Sequence, residues 1–120
     1  MGEALATEIG CRAFGTPAVL AADCEFIFTC VSADEDLLAV VEALLPGLRK
    51  GTIVADCSTV AADTARKAAT RLATVGAAFL DCPVSGGVEG AKNATLAIMC
   101  GGEPAIFERA RPVLAAIGKT

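Results

Sequence analysis

The sequence predicts an α/β fold built on a mostly parallel sheet, with one antiparallel strand at the sheet edge. Short apolar segments typical of strands alternate with longer segments of helical periodicity, and brief connections join them. This alternation is typical of parallel sheets covered by helices. The hydrophobic fraction is 54%, with five Phe and no Trp or Tyr, and small aliphatic residues of this kind suit strands buried on both faces.

Four segments are predicted as strands, because each is short and apolar and ends at a polar or turn residue. They are residues 26–31, 52–55, 77–81 and 95–100. The stretch from Gly86 to Leu96 is too short for a full crossover helix. We therefore expect the fourth strand to run antiparallel to its neighbour.

The remaining periodic segments are predicted as helices. They cover residues 2–9, 17–22, 34–45, 61–75 and 104–117. Ser32 is the expected N-cap of the third helix, and Ser58 or Thr59 that of the fourth. Asp56 and Asp81 lie at strand ends, where we expect them to cap a loop or helix.

Composition excludes several classes of function. A length of 120 residues predicts one domain, and a formal net charge of −4 argues against a nucleic-acid-binding surface. No apolar run is long enough to cross a membrane, and the first residues lack the basic start of a signal peptide. We expect a cytoplasmic protein that binds neither nucleic acid nor membrane.

The six cysteines are interpreted as ordinary thiols, with a redox or metal role as the alternative. None forms a C-x-x-C pair, and the chain has no histidine to complete a mixed zinc site. Cys30, Cys57, Cys82 and Cys100 each lie in or at the end of an apolar run, where a buried thiol behaves as a small hydrophobic group. No metal site is predicted.

The segment after the third predicted strand carries the clearest sign of a binding site. Ser85 precedes Gly86 and Gly87, and another glycine pair, Gly101 and Gly102, follows the fourth predicted strand. Glycines let backbone N–H groups approach an anion, and open α/β sheets bind ligands at the carboxyl ends of their strands. The chain contains no G-x-G-x-x-G sequence for a dinucleotide phosphate.

Four motifs together resemble the 3-hydroxyisobutyrate dehydrogenase group of the β-hydroxyacid dehydrogenase family. They are FTCVS at 28–32, VADCSTV at 54–60, DCPVSGG at 81–87 and IMCGG at 98–102. The resemblance runs from about Glu3 to Lys119. It implies an incomplete Rossmann-type three-layer domain, similar to the later part of the family's NAD(P)-binding domain. The implied reaction is oxidation of a small 3-hydroxy acid with NAD or NADP.

The same resemblance assigns roles to individual residues. It implies that Val31 and Ser32 contact the cofactor near the adenosine ribose. It also implies that Ser58 and Thr59 contact the cofactor near the nicotinamide. The substrate carboxylate would be held by Ser85, Gly86 and Gly87.

The family's first strands, with their glycine-rich loop, and its C-terminal helical domain have no counterpart in these 120 residues. Neither Lys92 nor Lys119 matches the family's catalytic lysine, so no catalytic residue is predicted. Loss of a positioned base lowers a rate by about 10²–10⁴. We therefore expect a truncated chain that is inactive alone.

The alternative function is a non-catalytic module that associates with itself or binds small anions. In the family, a strand absent from this sequence flanks the first predicted strand. Without that neighbour, the edge between Phe26 and Val31 is unpaired, and unpaired edges tend to pair with another chain. The sequence thus predicts a homodimer through this edge. For the anion-binding alternative, the expected ligand is a small carboxylate.

Overall fold

The computed structural model describes residues 2–119. Its helices are α1 (Gly2–Ile9), α2 (Pro17–Ala22), α3 (Asp34–Leu44), α4 (Ala62–Ala73), α5 (Gly87–Asn93) and α6 (Pro104–Leu114). Its strands are β1 (Phe26–Thr29), β2 (Ile53–Asp56), β3 (Ala78–Asp81), β4 (Val84–Ser85), β5 (Leu96–Ile98) and β6 (Gly118–Lys119). A single 3₁₀ turn, Leu45–Gly47, follows α3.

The main sheet is parallel, as predicted, with strand order β1-β2-β3. Phe26 is in register with Ile53, and Ile53 with Ala78. All four residues of β2 are buried because this central strand is covered on both faces. The carboxyl ends of the three strands consequently lie along one edge of the sheet.

One face of the main sheet packs against α2, α3 and α4. Ile27 and Val54 from the strands join Leu37 and Val41 of α3 and Leu72 of α4 in a single buried cluster. These helical residues recur at intervals of about a helical turn, which is why the sequence pattern located both helices.

The opposite face carries a second core, formed with α6. Ile53 and Leu80 pack there with Ile98 of β5 and with Ala110 and Leu114 of α6. Ile53 and Val54 are adjacent in β2 yet lie in different cores, as the alternation of side chains along a strand requires. The result is the predicted three-layer α/β arrangement.

The antiparallel strand belongs to a separate small sheet with strand order β4-β5-β6. β5 runs antiparallel to β4, which confirms its predicted direction, and parallel to β6. It does not extend the main sheet as an edge strand; an isolated antiparallel bridge between Asp81 and Gly101 connects the two sheets. Pro83, which has no backbone N–H, lies between β3 and β4 along the chain.

The predicted N-caps are wrong for α3 and α4. Their N-cap residues are Ala33 and Ala61, and neither makes a side-chain capping hydrogen bond. Asp34 serves α4 instead: its Oδ2 accepts from the backbone amide of Ala61 over 3.0 Å and from Thr64 Oγ1 over 2.7 Å. A residue of one helix thus supplies the cap of the next.

Several element boundaries also differ from the predictions. β1 ends at Thr29, so Val31 already lies in a loop, and α6 ends at Leu114 instead of residue 117. The short helix α5 was not predicted, and neither were the two-residue strands β4 and β6. Within residues 2–119, no helix has the length and apolar character needed to cross a membrane.

Candidate functional site

The loops that follow the three parallel strands are fixed to one another at the carboxyl edge of the main sheet. The amide of Cys57 donates to the carbonyl of Thr29 over 2.8 Å, and the amide of Cys82 donates to that of Asp56 over 2.8 Å. Parallel pairing therefore continues one residue beyond β2 and β3. The first residue of the loop after β2 is thus hydrogen-bonded to β1, and the first residue of the loop after β3 is hydrogen-bonded to β2.

Asp56 organises this edge from within the protein. Its side chain is fully buried, and its Oδ1 accepts from Thr29 Oγ1 over 2.8 Å and from Ser58 Oγ over 2.8 Å. The amide of Ser58 also donates to Oδ1, over 3.3 Å. A buried carboxylate needs such donors to offset its lost hydration. The expectation that Asp56 caps a loop is confirmed.

Val31 and Ser58, two of the predicted cofactor-binding residues, are directly hydrogen-bonded. The amide of Val31 donates to Ser58 Oγ over 2.7 Å, while that hydroxyl donates to Asp56. Ser58 is only 3% exposed. Its hydroxyl therefore joins the loops after β1 and β2, and it holds both in place from the inside.

Ser32 and Thr59 have the opposite character. Each follows one of the hydrogen-bonded residues directly, and each is exposed at the carboxyl edge. Both residues are exposed, whereas Ser58 is buried. The network around Asp56 thus leaves two surface hydroxyls on loops of fixed position.

Asp81 adds a second carboxyl group to the edge. It ends β3 in register with Asp56, whose Oδ2 is buried and has no hydrogen-bond partner among the described residues. Burial raises the pKa of Asp81, and the charge of Asp56 raises it further. Asp81 therefore retains a proton more readily than an exposed aspartate does.

The predicted carboxylate-binding residues form the turn between β4 and α5. Ser85 ends β4, Gly86 is the N-cap of α5 with φ of 134°, and Gly87 begins the helix with φ of 59°. Both φ values disfavour residues with a side chain, which explains the glycines. All three residues are exposed. The amides of the first turn of a helix have no acceptor within that helix.

Gly101 and Gly102 pack closely against β3. Gly101 exchanges two backbone hydrogen bonds with Asp81, of 2.9 and 2.7 Å. Gly102 has φ of 153°, and a Cβ at this position would lie 2.7 Å from Leu80 Cδ2. Close approach to β3 therefore accounts for Gly102, whereas a Cβ at Gly101 would make only ordinary contacts, 3.9 Å from Asp81.

The cysteines after the strands differ in exposure. Cys82 is fully buried, as expected, and Cys57 and Cys100 are half-buried, but Cys30 is exposed, so its prediction as a buried thiol is wrong. Burial raises the pKa of Cys57 to about 11, with smaller contributions from Cys30, Asp56 and Cys100. No group of residues in the described part of the chain could hold a metal ion.

The structure brings together only some of the predicted site residues. Val31 and Ser58 share a hydrogen bond, and Ser32 and Thr59 follow them on the same two loops. Ser85 lies in the second sheet, and no hydrogen bond within residues 2–119 joins it to these loops. Sequence reasoning missed Thr29, whose hydroxyl reaches Asp56 from a neighbouring strand.

A groove of about 300 Å³ lies beside the outer edge of β1. Its wall includes Phe14, Leu20, Phe28 and Val40. Phe28 is 40% exposed although it lies in a strand, and its ring centroid is 4.9 Å from that of Phe26. Within the described residues, no strand pairs with this edge of β1.

Comparison with known proteins identifies the family. The model of the NAD binding domain of 6-phosphogluconate dehydrogenase matches residues 2–120. An uncharacterized oxidoreductase of Shewanella frigidimarina is 38% identical over 115 residues, which are 93% of this chain and 40% of the relative. The 3-hydroxyisobutyrate dehydrogenase of Pseudomonas aeruginosa is 45% identical over 85 residues, 71% of this chain and 28% of that enzyme.

A solved structure agrees with these relatives. The 3-hydroxyisobutyrate dehydrogenase of Mycobacterium tuberculosis, solved with L-serine, superposes with a TM-score of 0.84 and 34% identity, covering 88% of this chain and 36% of that one. The chain thus spans at most 40% of the length of these three proteins. With a family match over nearly every residue, the chain belongs to the NAD binding domain family of 6-phosphogluconate dehydrogenase, and 3-hydroxyisobutyrate dehydrogenases are among its relatives.

Proposed function

We propose that this chain carries the nicotinamide-side loops and the substrate-carboxylate loop of an NAD(P)-dependent dehydrogenase for small 3-hydroxy acids. The carrying observation is the network in which buried Asp56 holds Ser58, and Ser58 holds the amide of Val31. This network fixes two loops at the sheet edge where α/β domains bind dinucleotides. The relatives' reported activity supports the choice of reaction.

The residues at this edge fit one part of a dinucleotide. Ser32 and Thr59 are exposed on loops of fixed position and offer hydroxyls to a ribose and to a nicotinamide amide, respectively. Ser58 acts behind them as a positioning residue. When bound, the cofactor supplies the hydride acceptor. The loops orient that acceptor toward the substrate.

The turn at Ser85, Gly86 and Gly87 is the proposed carboxylate site. The Ser85 hydroxyl and the first amides of α5 are donors suited to an anion. Holding the carboxylate there fixes the distance of the hydroxyl-bearing carbon from the nicotinamide. Such positioning of reactants is a large part of catalysis in hydride transfer.

These 120 residues contain no G-x-G-x-x-G loop for the pyrophosphate, and neither Lys92 nor Lys119 matches the family's catalytic lysine. Lys92 and Lys119 are both exposed, away from any buried polar network. We propose that the chain alone binds dinucleotide weakly and does not turn over substrate. The proton acceptor and the pyrophosphate site would come from residues outside this sequence.

We also propose that the protein works in the cytoplasm. All six cysteines are free thiols in the structure. Free thiols are the usual state in a reducing compartment.

The proposed function is tested by titrating NAD(H), NADP(H) and 3-hydroxyisobutyrate into the ¹⁵N-labelled chain. We expect dinucleotide Kd values weaker than about 1 mM, with amide shifts at Val31, Ser32 and Thr59. The acid should shift Gly86 and Gly87, and S85A should weaken that response. T70A, on the exposed side of α4, is the control. Micromolar dinucleotide binding, or shifts confined to other regions, would contradict the proposal.

A second candidate function is self-association without catalysis. The supporting observation is the unpaired outer edge of β1 together with the exposed ring of Phe28 beside its groove. Backbone donors and acceptors on such an edge can pair with a second copy of the same strand. A dimer that binds neither dinucleotide nor hydroxy acid would favour this function over the first.

A further inference from the structure

Cys82 and Cys100 face each other across an antiparallel ladder. Asp81 and Gly101 exchange both of their backbone hydrogen bonds, and the amide of Met99 donates to the carbonyl of Pro83 over 3.0 Å. Farther along, Val84 is in register with Ile98. The ladder therefore keeps one register from residue 81 to residue 85.

This register makes Cys82 and Cys100 a directly opposed, non-hydrogen-bonded pair. Hydrogen-bonded and non-hydrogen-bonded pairs alternate in antiparallel ladders, and the pairs on either side of this one are of the hydrogen-bonded type. Non-hydrogen-bonded pairs have Cα atoms about 4.5 Å apart, within the range of about 4.4–6.8 Å that a disulfide requires. The two Sγ atoms are already 3.4 Å apart.

We propose that Cys82 and Cys100 are a site of reversible oxidative modification, at which peroxide converts the two thiols to a disulfide. The Sγ of Cys100, as thiolate, attacks one peroxide oxygen and breaks the O–O bond, giving a sulfenic acid and, after protonation, one water. The Sγ of Cys82 then attacks the sulfenic sulfur and displaces a second water. Two thiol sulfurs are oxidised and one peroxide is reduced. A small thiol such as glutathione reverses the change by exchange.

The order of these steps follows from exposure. Cys100 is half-buried and is the more exposed of the two thiols, whereas Cys82 is fully buried among Leu80 and Ile98. Burial and the neighbouring thiol of Cys100 raise the pKa of Cys82. Cys82 is thus protected from solvent oxidants and serves as the resolving thiol.

The disulfide would strengthen a weak point in the ladder. Pro83 has no N–H, so the pair it forms with Met99 has one backbone hydrogen bond where two are normal. A covalent link at the adjacent pair would hold the segment leading to Ser85 against the segment leading to Gly101. Oxidation would therefore restrain the turn that follows β4. The chemistry of the thiol pair does not depend on the proposed dehydrogenase function.

The test is peptide mapping of the purified full chain after treatment with hydrogen peroxide. Trypsin places the three relevant cysteines in different peptides. Cys82 lies in the peptide of residues 72–92, Cys100 in the peptide of residues 93–109, and Cys57 in the peptide of residues 51–66. We expect a cross-linked species joining the first two peptides, with loss of two hydrogens, that disappears after reduction by glutathione. Amide exchange at Met99 and Gly101 should be several-fold slower in the oxidised chain.

Variants decide which thiols are involved. C100S and C82S should each abolish the cross-link, whereas C57S, which removes a half-buried thiol close enough to affect Cys82 electrostatically, should retain it. Circular dichroism checks that each variant is folded. If a variant does not fold, the peptide map of the unsubstituted chain still tests the proposal. The proposal is overturned if the oxidised chain joins Cys57 to Cys100, forms only intermolecular disulfides, or oxidises Cys100 to sulfinic acid with Cys82 still free.

Discussion

The backbone amide of Val31 donates a 2.7 Å hydrogen bond to the hydroxyl of Ser58, across 27 residues of sequence. The same hydroxyl donates a hydrogen bond to Asp56 Oδ1 over 2.8 Å. One small side chain therefore connects the loops after two neighbouring strands to a buried carboxylate. We expect the positions of the loops after β1 and β2 to depend on this hydroxyl.

Replacing Ser58 by Ala should destabilise the fold by about 1–3 kcal/mol, because a buried carboxylate and a partly buried amide each lose a partner. Urea unfolding followed by circular dichroism measures the change. T59A, one residue along and exposed, should stay within about 0.5 kcal/mol of the unsubstituted chain. Equal stability of the two variants would show that the Ser58 network contributes nothing to the edge.

The carboxylate of Asp34 connects α3 to α4 and should make stability depend on pH. The hydrogen bond from Thr64, and next that from the amide of Ala61, lower the pKa of Asp34. A folded-state pKa below the unfolded value means that the ionised group stabilises the fold. That stabilisation is complete above the unfolded pKa and is lost as the pH falls through the folded one.

D34N should therefore lower Tm by a few degrees near neutral pH, and the difference from the unsubstituted chain should close in acid. Thermal melts over a series of pH values measure it. The control is D36N, which alters an exposed aspartate of the same helical turn. A D34N deficit that persists unchanged below the carboxyl range would mean that charge at Asp34 has no part in stability.

Gly102 should not accept a side chain. Its φ of 153° is rarely adopted by other residues, and a Cβ would lie 2.7 Å from Leu80 Cδ2 and 3.3 Å from the carbonyl oxygen of Phe79. We expect G102A to cost about 1–3 kcal/mol through backbone strain and overpacking. G15A, where the added Cβ meets nothing within 4 Å, is the matched control in the same urea experiment. Equal midpoints would contradict the prediction.

The main sheet and its helices could be predicted because their signals are local. Apolar runs with polar ends mark β1, β2 and β3, and recurring leucines mark α3. The positions of Ser32 and Thr59 follow from the same rule, since residues that come just after parallel strands lie at one edge. The sequence therefore identified the loops that form this edge.

The features that escaped prediction depend on distant residues or on very short elements. Asp34 caps α4 from another helix, and Thr29 reaches Asp56 from a neighbouring strand; neither partner is close in sequence. The two residues of β4 are too few to show a periodic pattern. Three glycines near α5, two of them inside it, weaken its helical signal, because glycine disfavours helix interiors.

The unpaired outer edge of β1 leads us to expect that two copies of the chain associate through it. Phe28 is 40% exposed beside an edge with no partner strand among the described residues. If two copies pair through this edge, F28E places like charges opposite one another and should shift a dimer to monomer. Sedimentation velocity at micromolar to high micromolar concentrations measures the change.

V113E is the control, because Val113 is 37% exposed on α6, an element apart from this edge. A monomeric unsubstituted chain throughout that range, or equal dissociation by both variants, would rule out β1 as the interface. Loss of the dimer in F28E alone would show that the strand edge, and not general surface hydrophobicity, drives association.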